Sequence, residues 1–200
     1  MNKPLVLASR SPRRLKLLRQ INIAPLVLPC DVDETFDAAC SPSENAERLA
    51  LMKARACAAG VDHGVVLGAD TIVSIGGTML GKPADKSEAV AMLSMLSGHT
   101  HTVHTGYALI DRPSGVAIGG VEETRVTFRV LSGAEIREYV AGGSPMDKAG
   151  AYGIQDDFGA VFVSRIDGCY YNVVGLPLQT VYMALKNLET SVQQSTGAGA

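Results

Sequence analysis

Val65-Val66-Leu67-Gly68-Ala69-Asp70-Thr71-Ile72-Val73 is the stretch on which the chain turns. It opens as an apolar run that reads as a buried strand. Asp70 then stands where such a run should stay apolar. An unpaired buried charge is costly, so Asp70 needs a cation, a metal or a water-filled cleft; the simpler reading is a capped strand end. Beyond Ser74-Ile75, Gly76-Gly77 reads as a hairpin turn, and the chain returns through Met79-Leu80 to Gly81-Lys82-Pro83. Gly76 to Lys82 fits the opening of the phosphate-loop pattern G-x-x-x-x-G-K-[ST]. Pro83 ends the match, because proline has no hydroxyl for Mg²⁺ and no N–H for a phosphate. The pattern also needs a helix starting at its lysine, whereas here Asp85-Lys86-Ser87-Glu88 caps a helix a few residues later. That reading is rejected, and Lys82 is still placed to reach a phosphate from the return strand.

Upstream, Leu5-Val6-Leu7-Ala8 reads as a first strand, and Ser11-Pro12 starts a helix with Leu15, Leu17, Leu18 and Ile21 as its apolar face. Arg13 and Arg14 fall in its first turn, where a cation costs about 0.3–1 kcal/mol. A bound anion would reverse that sign. The helix N–H groups, the hydroxyls of Ser9 and Ser11 and the two guanidinium groups would then converge on a phosphate. The alternative is that both arginines point to solvent.

Pro25-Leu26-Val27-Leu28-Pro29 is a short second strand, followed by an acidic loop with Asp31, Asp33, Glu34 and Asp37. The loop is either simply solvated or lends one carboxylate, Glu34, to a divalent metal. Ser41-Pro42-Ser43-Glu44 is a capping box, and its helix runs to about Ala59 before Gly60. Lys53 lies inside the apolar stripe of Ala46, Leu49, Ala50, Ala54 and Cys57. It either snorkels past the core edge or points into a cleft as a phosphate ligand.

Downstream, the pattern predicts a helix over about Lys86–Leu96, a strand over Thr100–Asp111, a turn at Arg112-Pro113-Ser114-Gly115 and a strand over Val116–Leu131 with a bulge at Gly119-Gly120. His99, His101 and His104 read as polar strand residues rather than metal ligands, with 104 on the face opposite 99 and 101. Ser132-Gly133-Ala134-Glu135 caps a helix ending near Gly142-Gly143. The Gly-rich loop from Pro145 to Gln155 mixes an acid, a base and an amide without apolar period, as functional loops do. Gln155 carries the paired donor and acceptor needed to read a base edge. A strand over Ala160–Ile166, a hairpin signal at Asp167-Gly168 and a last helix over Leu178–Leu188 follow. Thr190–Ala200 is small and polar and is expected to be a disordered tail after a domain spanning 1–189.

The chain's 200 residues suit one sizeable core. A formal net charge of -2 without runs of one sign argues against a nucleic-acid binder or a polybasic membrane anchor. No stretch reaches the roughly 20 apolar residues of a membrane span, and the start is too short for a signal peptide. Cys30, Cys40, Cys57 and Cys169 show no C-x-x-C spacing, so zinc is not expected and a reduced, cytoplasmic setting is.

Taken together, the motifs resemble one family. They are Ala8-Ser9-Arg10-Ser11-Pro12-Arg13-Arg14, Asp31-Val32-Asp33-Glu34, Lys53-Ala54, Gly68-Ala69-Asp70-Thr71, Gly81-Lys82-Pro83, Leu96-Ser97-Gly98, the run from Asp147 to Gln155, and Asn172-Val173-Val174-Gly175-Leu176-Pro177. Each is weak alone, and their joint order from Leu7 to about Leu185 is specific. The chain resembles the Maf family of nucleoside triphosphate pyrophosphatases, the septum-formation inhibitor-like proteins. The resemblance implies a single α/β domain with a long mixed central sheet and a cleft between two lobes, similar to inosine triphosphate pyrophosphatases. It implies cleavage of a nucleoside triphosphate between its α and β phosphates. It also implies a divalent metal, Mg²⁺ foremost with Mn²⁺ or Co²⁺ as substitutes, and a homodimer.

The Ala-Gly-Ala-Tyr-Gly-Ile-Gln form of the loop resembles the branch acting on dTTP and UTP. There the positions matching Arg13, Thr71 and Gln155 are linked to substrate choice, and the one matching Asp70 is the proton acceptor. Charge assigns the remaining roles: Ser9, Arg13, Arg14, Lys53 and Lys82 would neutralise the triphosphate, and Glu34 with Asp70 would hold the metal. Asp156-Asp157 departs from the small residues expected after Gln155 and bears on specificity. Two alternatives stand at this point: a nucleotide-binding regulator of cell division without turnover, and a pyrophosphatase for a purine or modified-base triphosphate.

Overall fold

Strand and helix alternate from Leu5 to Ile75, and antiparallel strands follow, as in an α/β fold with a mixed sheet. The computed structural model describes residues 3–155 and 158–197; Asp156-Asp157 lies outside them. The elements are β1 Leu5–Leu7, α1 Pro12–Gln20, β2 Leu26–Val27, α2 Pro42–Ala58, β3 Gly64–Ile75, β4 Thr78–Leu80 and α3 Lys86–Leu96. Then come β5 Thr100–Arg112, β6 Ala117–Phe128, α4 Gly133–Ala141, β7 Val163–Asp167, α5 Tyr170–Val174 and α6 Leu178–Gly197. Among the described residues one seven-stranded sheet runs in the order β2-β1-β3-β5-β6-β7, with β4 paired to β3. β1 is parallel to β2 and to β3, in register Leu5↔Val65 to Leu7↔Leu67. β3–β4 and β6–β7 are antiparallel, so the sheet is mixed, as expected.

The caps read from the sequence form. Ser41 and Ser132 make complete capping boxes with Glu44 and Glu135, and Ser11 and Asp85 accept from the N3 backbone N–H. Three readings fail. Ala160–Ile166 is not one strand: Phe158–Phe162 is a 3-10 helix and β7 begins at Val163. Aromatic packing overrides the local β pattern, because Phe162 stacks edge-on against Phe128, Tyr139 and Phe158. Asp167-Gly168 does not close a hairpin; the Cys169 N–H donates to Thr124 Oγ1, and the chain enters α5. The last helix does not end at Leu188 but continues to Gly197, into the segment expected to be a tail.

The chain divides into two compact units. The first takes in residues up to Asp70, Thr105–Glu122 and the chain from Gly175 onward. Its core includes Val6, Ala8, Val66, Ala108 and Ile110 packed with Ala54, Cys57, Ala58 and Val61. α2 approaches this sheet unusually closely, and two glycines permit it. A Cβ on Gly68 would lie 2.2 Å from the Ala50 carbonyl oxygen, and one on Gly106 would lie 2.1 Å from that of Ala46. Here backbone meets backbone, with no room for a methyl group.

The second unit takes in Thr71–His104 and Glu123–Val174. α3 packs on α4 and on the 3-10 turns at Ser144–Asp147 and Ala149–Ala151. Gly150 sits at φ 68° with its Cα against Val73, and its N–H donates to the Gly81 carbonyl. Only glycine fits both demands. In this unit the three histidines part ways, as polar strand or strand-edge residues. His99 bonds the Ser97 carbonyl, His101 the Tyr152 hydroxyl at 2.7 Å and His104 the Ser74 hydroxyl at 2.8 Å.

His101 is buried, and Nδ1 of its ring finds no partner among the described residues. Burial pulls its pKa from 6.5 down to about 4. The folded value lies below the unfolded one, so the unfolded chain binds the extra proton between these limits. Stability is therefore full above pH 6.5 and drains as pH falls toward 4. Between pH 7 and 5 the wild type should lose on the order of 2 kcal/mol more than His101→Gln in urea unfolding. Equal losses would remove His101 as the source.

Candidate active site

The first unit gathers most of the charged residues that the sequence singles out. Asp70 lies near the middle of β3 and Lys53 on the face of α2 that packs closely on the sheet. Lys53 Nζ lies 2.5 Å from Asp70 Oδ1 and 2.8 Å from Glu34 Oε1. Lys53 and Asp70 are 7% and 8% exposed, so the lysine neither snorkels to solvent nor leaves the strand carboxylate unpaired. Asp70 is thus no simple strand cap.

The acidic loop sorts itself by local turns. Asp31 pairs with Arg10 at the surface. Asp33 accepts from the Thr35 N–H and hydroxyl, which hold its carboxyl below the usual range. Asp37 accepts from the Ala39 N–H. Glu34 is the carboxylate that reaches Lys53. The loop is anchored by buried Asn45, whose amide nitrogen donates to the carbonyls of Asp37, Cys40 and Ser41 while its oxygen accepts from the Asp37 N–H. Sequence reading passed over Asn45; its signal was an amide in the first turn of a helix whose cap was already filled by Ser41.

Arg14 resolves the question of the misplaced arginines for one of them. It is buried, and its Nε donates to the Gly175 carbonyl at 2.8 Å and its Nη1 to Ser9 Oγ at 3.1 Å. Burial lowers its pKa; Asp70 and Glu34 oppose that, and Arg13 adds to it. Ser9 Oγ also accepts from the Ser11 N–H, so that hydroxyl is fixed from two sides. Arg13 is half-buried. α2, α3 and α4 each carry a glutamate in the first turn, and α1 carries none. Lys53, Arg13 and Arg14 set against Asp70 and Glu34 leave a positive balance at an N-terminus that already favours anions.

Thr71, Lys82 and Gln155 belong to the second unit. Thr71 follows Asp70 in β3, and consecutive strand residues point to opposite faces. Lys82 is exposed, directly after the Gly81 carbonyl that receives the Gly150 N–H. The loop that ends in Gln155 is held by two buried anchors missing from the sequence reading. Lys148 Nζ donates to the Ser144 carbonyl and to Asp147 Oδ1, and Tyr152 is clamped by His101 and by the edge of Phe128. Gln155 Oε1 is buried and accepts no hydrogen bond among the described residues.

No group of three or more His, Cys, Asp or Glu side chains suited to a metal occurs among the described residues. Two carboxylates that reach one ammonium do fit a hard cation. Mg²⁺ in phosphoryl-transfer sites is held by one or two carboxylates, with substrate oxygens and water completing its shell.

An α/β fold that pairs a buried strand carboxylate with a buried lysine, within electrostatic reach of a buried arginine, is the class of site that handles anions. The chain belongs to the Maf-like protein family, whose model matches residues 4–188. It is 48% identical over 186 residues to the dTTP/UTP pyrophosphatase of Syntrophomonas wolfei subsp. wolfei, covering 93% of this chain and 98% of that protein. It is 53% identical over 180 residues to the dTTP/UTP pyrophosphatase of Symbiobacterium thermophilum, covering 90% and 91%. It is 50% identical over 177 residues to that of Moorella thermoacetica, covering 88% and 91%. No helix among the described residues is long and apolar enough to cross a membrane.

Proposed function

We propose that the protein is a nucleoside triphosphate pyrophosphatase that hydrolyses dTTP and UTP to the monophosphate and pyrophosphate. The observation that carries this reading is the buried Lys53–Asp70 pair joined by Glu34, in a chain close to relatives of that name. In the proposed mechanism a water attacks the α-phosphorus in line with the leaving pyrophosphate, and Asp70 orients it and takes its proton. Ser9, Arg13, Arg14, Lys53 and Lys82 bind and neutralise the triphosphate, which is most of what phosphoryl transfer asks of a protein. Glu34 and Asp70 would hold a Mg²⁺, which supplies charge neutralisation at the phosphate oxygens. Four free cysteines support the cytoplasmic setting.

Gln155 and Thr71 are the proposed choosers of base. The uracil and thymine edge offers N3–H as donor and O4 as acceptor, which a single amide complements. Cytosine reverses both. The buried, unaccepting Gln155 Oε1 supports this role. A panel of nucleoside triphosphates with Mg²⁺, scored by kcat/KM for pyrophosphate release, should favour UTP and dTTP over CTP by at least about 10²-fold. Gln155→Leu should erase most of that ratio. Preference for GTP or ATP would overturn the specificity, and binding without pyrophosphate release would overturn the enzyme reading.

A further inference from the structure

Cys57 lies one turn beyond Lys53 on α2, and Cys30 begins the segment that carries Glu34. Both thiols converge on one acceptor: Cys57 Sγ lies 3.4 Å and Cys30 Sγ 3.9 Å from the Leu28 carbonyl oxygen. Cys30 is one of the groups that raise the Cys57 thiol's pKa. Cys30 is half-buried and packs against the cluster containing Cys57, which is fully buried. The same segment and helix are therefore held together twice, by the Glu34–Lys53 ion pair and by the Cys57 thiol donating to the Leu28 carbonyl.

We propose that Cys30 and Cys57 form an oxidisable pair, which a hydroperoxide converts to a disulfide that ties the Glu34 loop to α2. The partly exposed Cys30 meets the oxidant first. Its sulfur attacks the peroxide, an S–O bond forms, the O–O bond breaks and an alcohol or water leaves, giving a sulfenic acid. Cys57 then attacks the Cys30 sulfur. The S–S bond forms, the S–O bond breaks, and the hydroxyl departs with the Cys57 proton as water. In total two thiols give two electrons to one peroxide. Burial, with Cys30 alongside, raises the Cys57 thiol to about 12, so Cys57 does not meet the oxidant first and yields its proton to the departing hydroxyl only as it attacks the Cys30 sulfur.

The consequence for turnover rests on the proposed reading of Glu34 as a metal holder, a role that requires it to exchange Lys53 for the metal. A tethered loop restricts that exchange. The pair is not needed for the chemistry itself, so reduced Cys30→Ser keeps ordinary activity.

The test uses the full chain exposed to hydrogen peroxide under denaturant-free conditions. Peptide mass mapping should find a Cys30–Cys57 cross-link lighter by two hydrogens and restored by dithiothreitol, while Cys40 and Cys169 remain thiols. UTP turnover should fall about tenfold or more in the oxidised protein and return on reduction, since small misplacements of reacting groups cost that much. Cys30→Ser should show neither the cross-link nor the loss. Sulfinic or sulfonic acid on Cys30 with Cys57 untouched, or a cross-link through Cys40 or Cys169, would overturn the proposal. The mass map is independent of activity: the cross-link with unchanged turnover removes the exchange role of Glu34 and leaves the thiol pair standing. If the reduced enzyme releases no pyrophosphate, the functional reading fails and the mass map alone decides the pair.

Discussion

Asp70→Asn should lower turnover of UTP by at least about 10²-fold while leaving the protein folded. The size follows from what a positioned base contributes, and the survival of the fold follows from the surroundings. Asparagine keeps the shape of the side chain and its place on β3. The buried Lys53 ammonium is not orphaned, because Glu34 lies 2.8 Å from it. That matters, because stripping the last partner from a buried charge costs about 3–5 kcal/mol. Circular dichroism and thermal unfolding should therefore stay close to wild type, and the loss should fall on kcat more than on KM. The pH profile sharpens the assignment. If Asp70 is the base, the acid limb of kcat/KM disappears from the residual activity. If Glu34 is the base, that limb persists in Asp70→Asn. Near-normal pyrophosphate release from the purified variant would remove Asp70 from the chemistry altogether.

What the sequence made legible was what is local. Ser41 with Glu44, Ser132 with Glu135 and Ser11 with Pro12 mark helix starts through contacts three residues long, and those helices begin where expected. Lys53 and Asp70 stood out because each breaks an apolar pattern, and a buried charge must find a partner. Their pairing across 17 positions could be anticipated from charge but not read from spacing. Other features depend on distant chain. Arg14 bonds a carbonyl 161 residues away, which separates it from half-buried Arg13 although the two are neighbours of one type. The choice of Glu34 among four carboxylates is made by turns at Asp33 and Asp37 and by Asn45 beneath them. Ala160–Phe162 reads locally as the start of a strand, yet it falls in the 3-10 helix Phe158–Phe162 because aromatic neighbours from β6 and α4 claim the Phe162 ring.

Gly68→Ala should destabilise the first unit strongly, by about 3 kcal/mol or more. A methyl group at Gly68 would lie 2.2 Å from the Ala50 carbonyl oxygen, 2.6 Å from the Ala54 nitrogen and 2.9 Å from the Ala54 Cβ. No rotamer relieves this clash, because two of the three contacts are backbone atoms of α2. The helix must rise from the sheet, and it carries Lys53 with it. The cluster of Val66, Ala54, Cys57 and Ala58 opens at the same time. The variant should therefore lose activity even where it remains folded, since the 2.5 Å Lys53–Asp70 contact depends on that close approach. Gly60→Ala is the matched control: it follows the same helix, its nearest neighbour would be the Cys57 carbonyl oxygen at 3.9 Å, and its φ is not in the left-handed region. There the methyl group should be neutral or stabilise by up to about 1 kcal/mol through the unfolded chain. Urea unfolding of both variants decides the matter. A Gly68→Ala protein as stable as Gly60→Ala would mean that α2 does not need backbone contact with β3 to hold Lys53 in place.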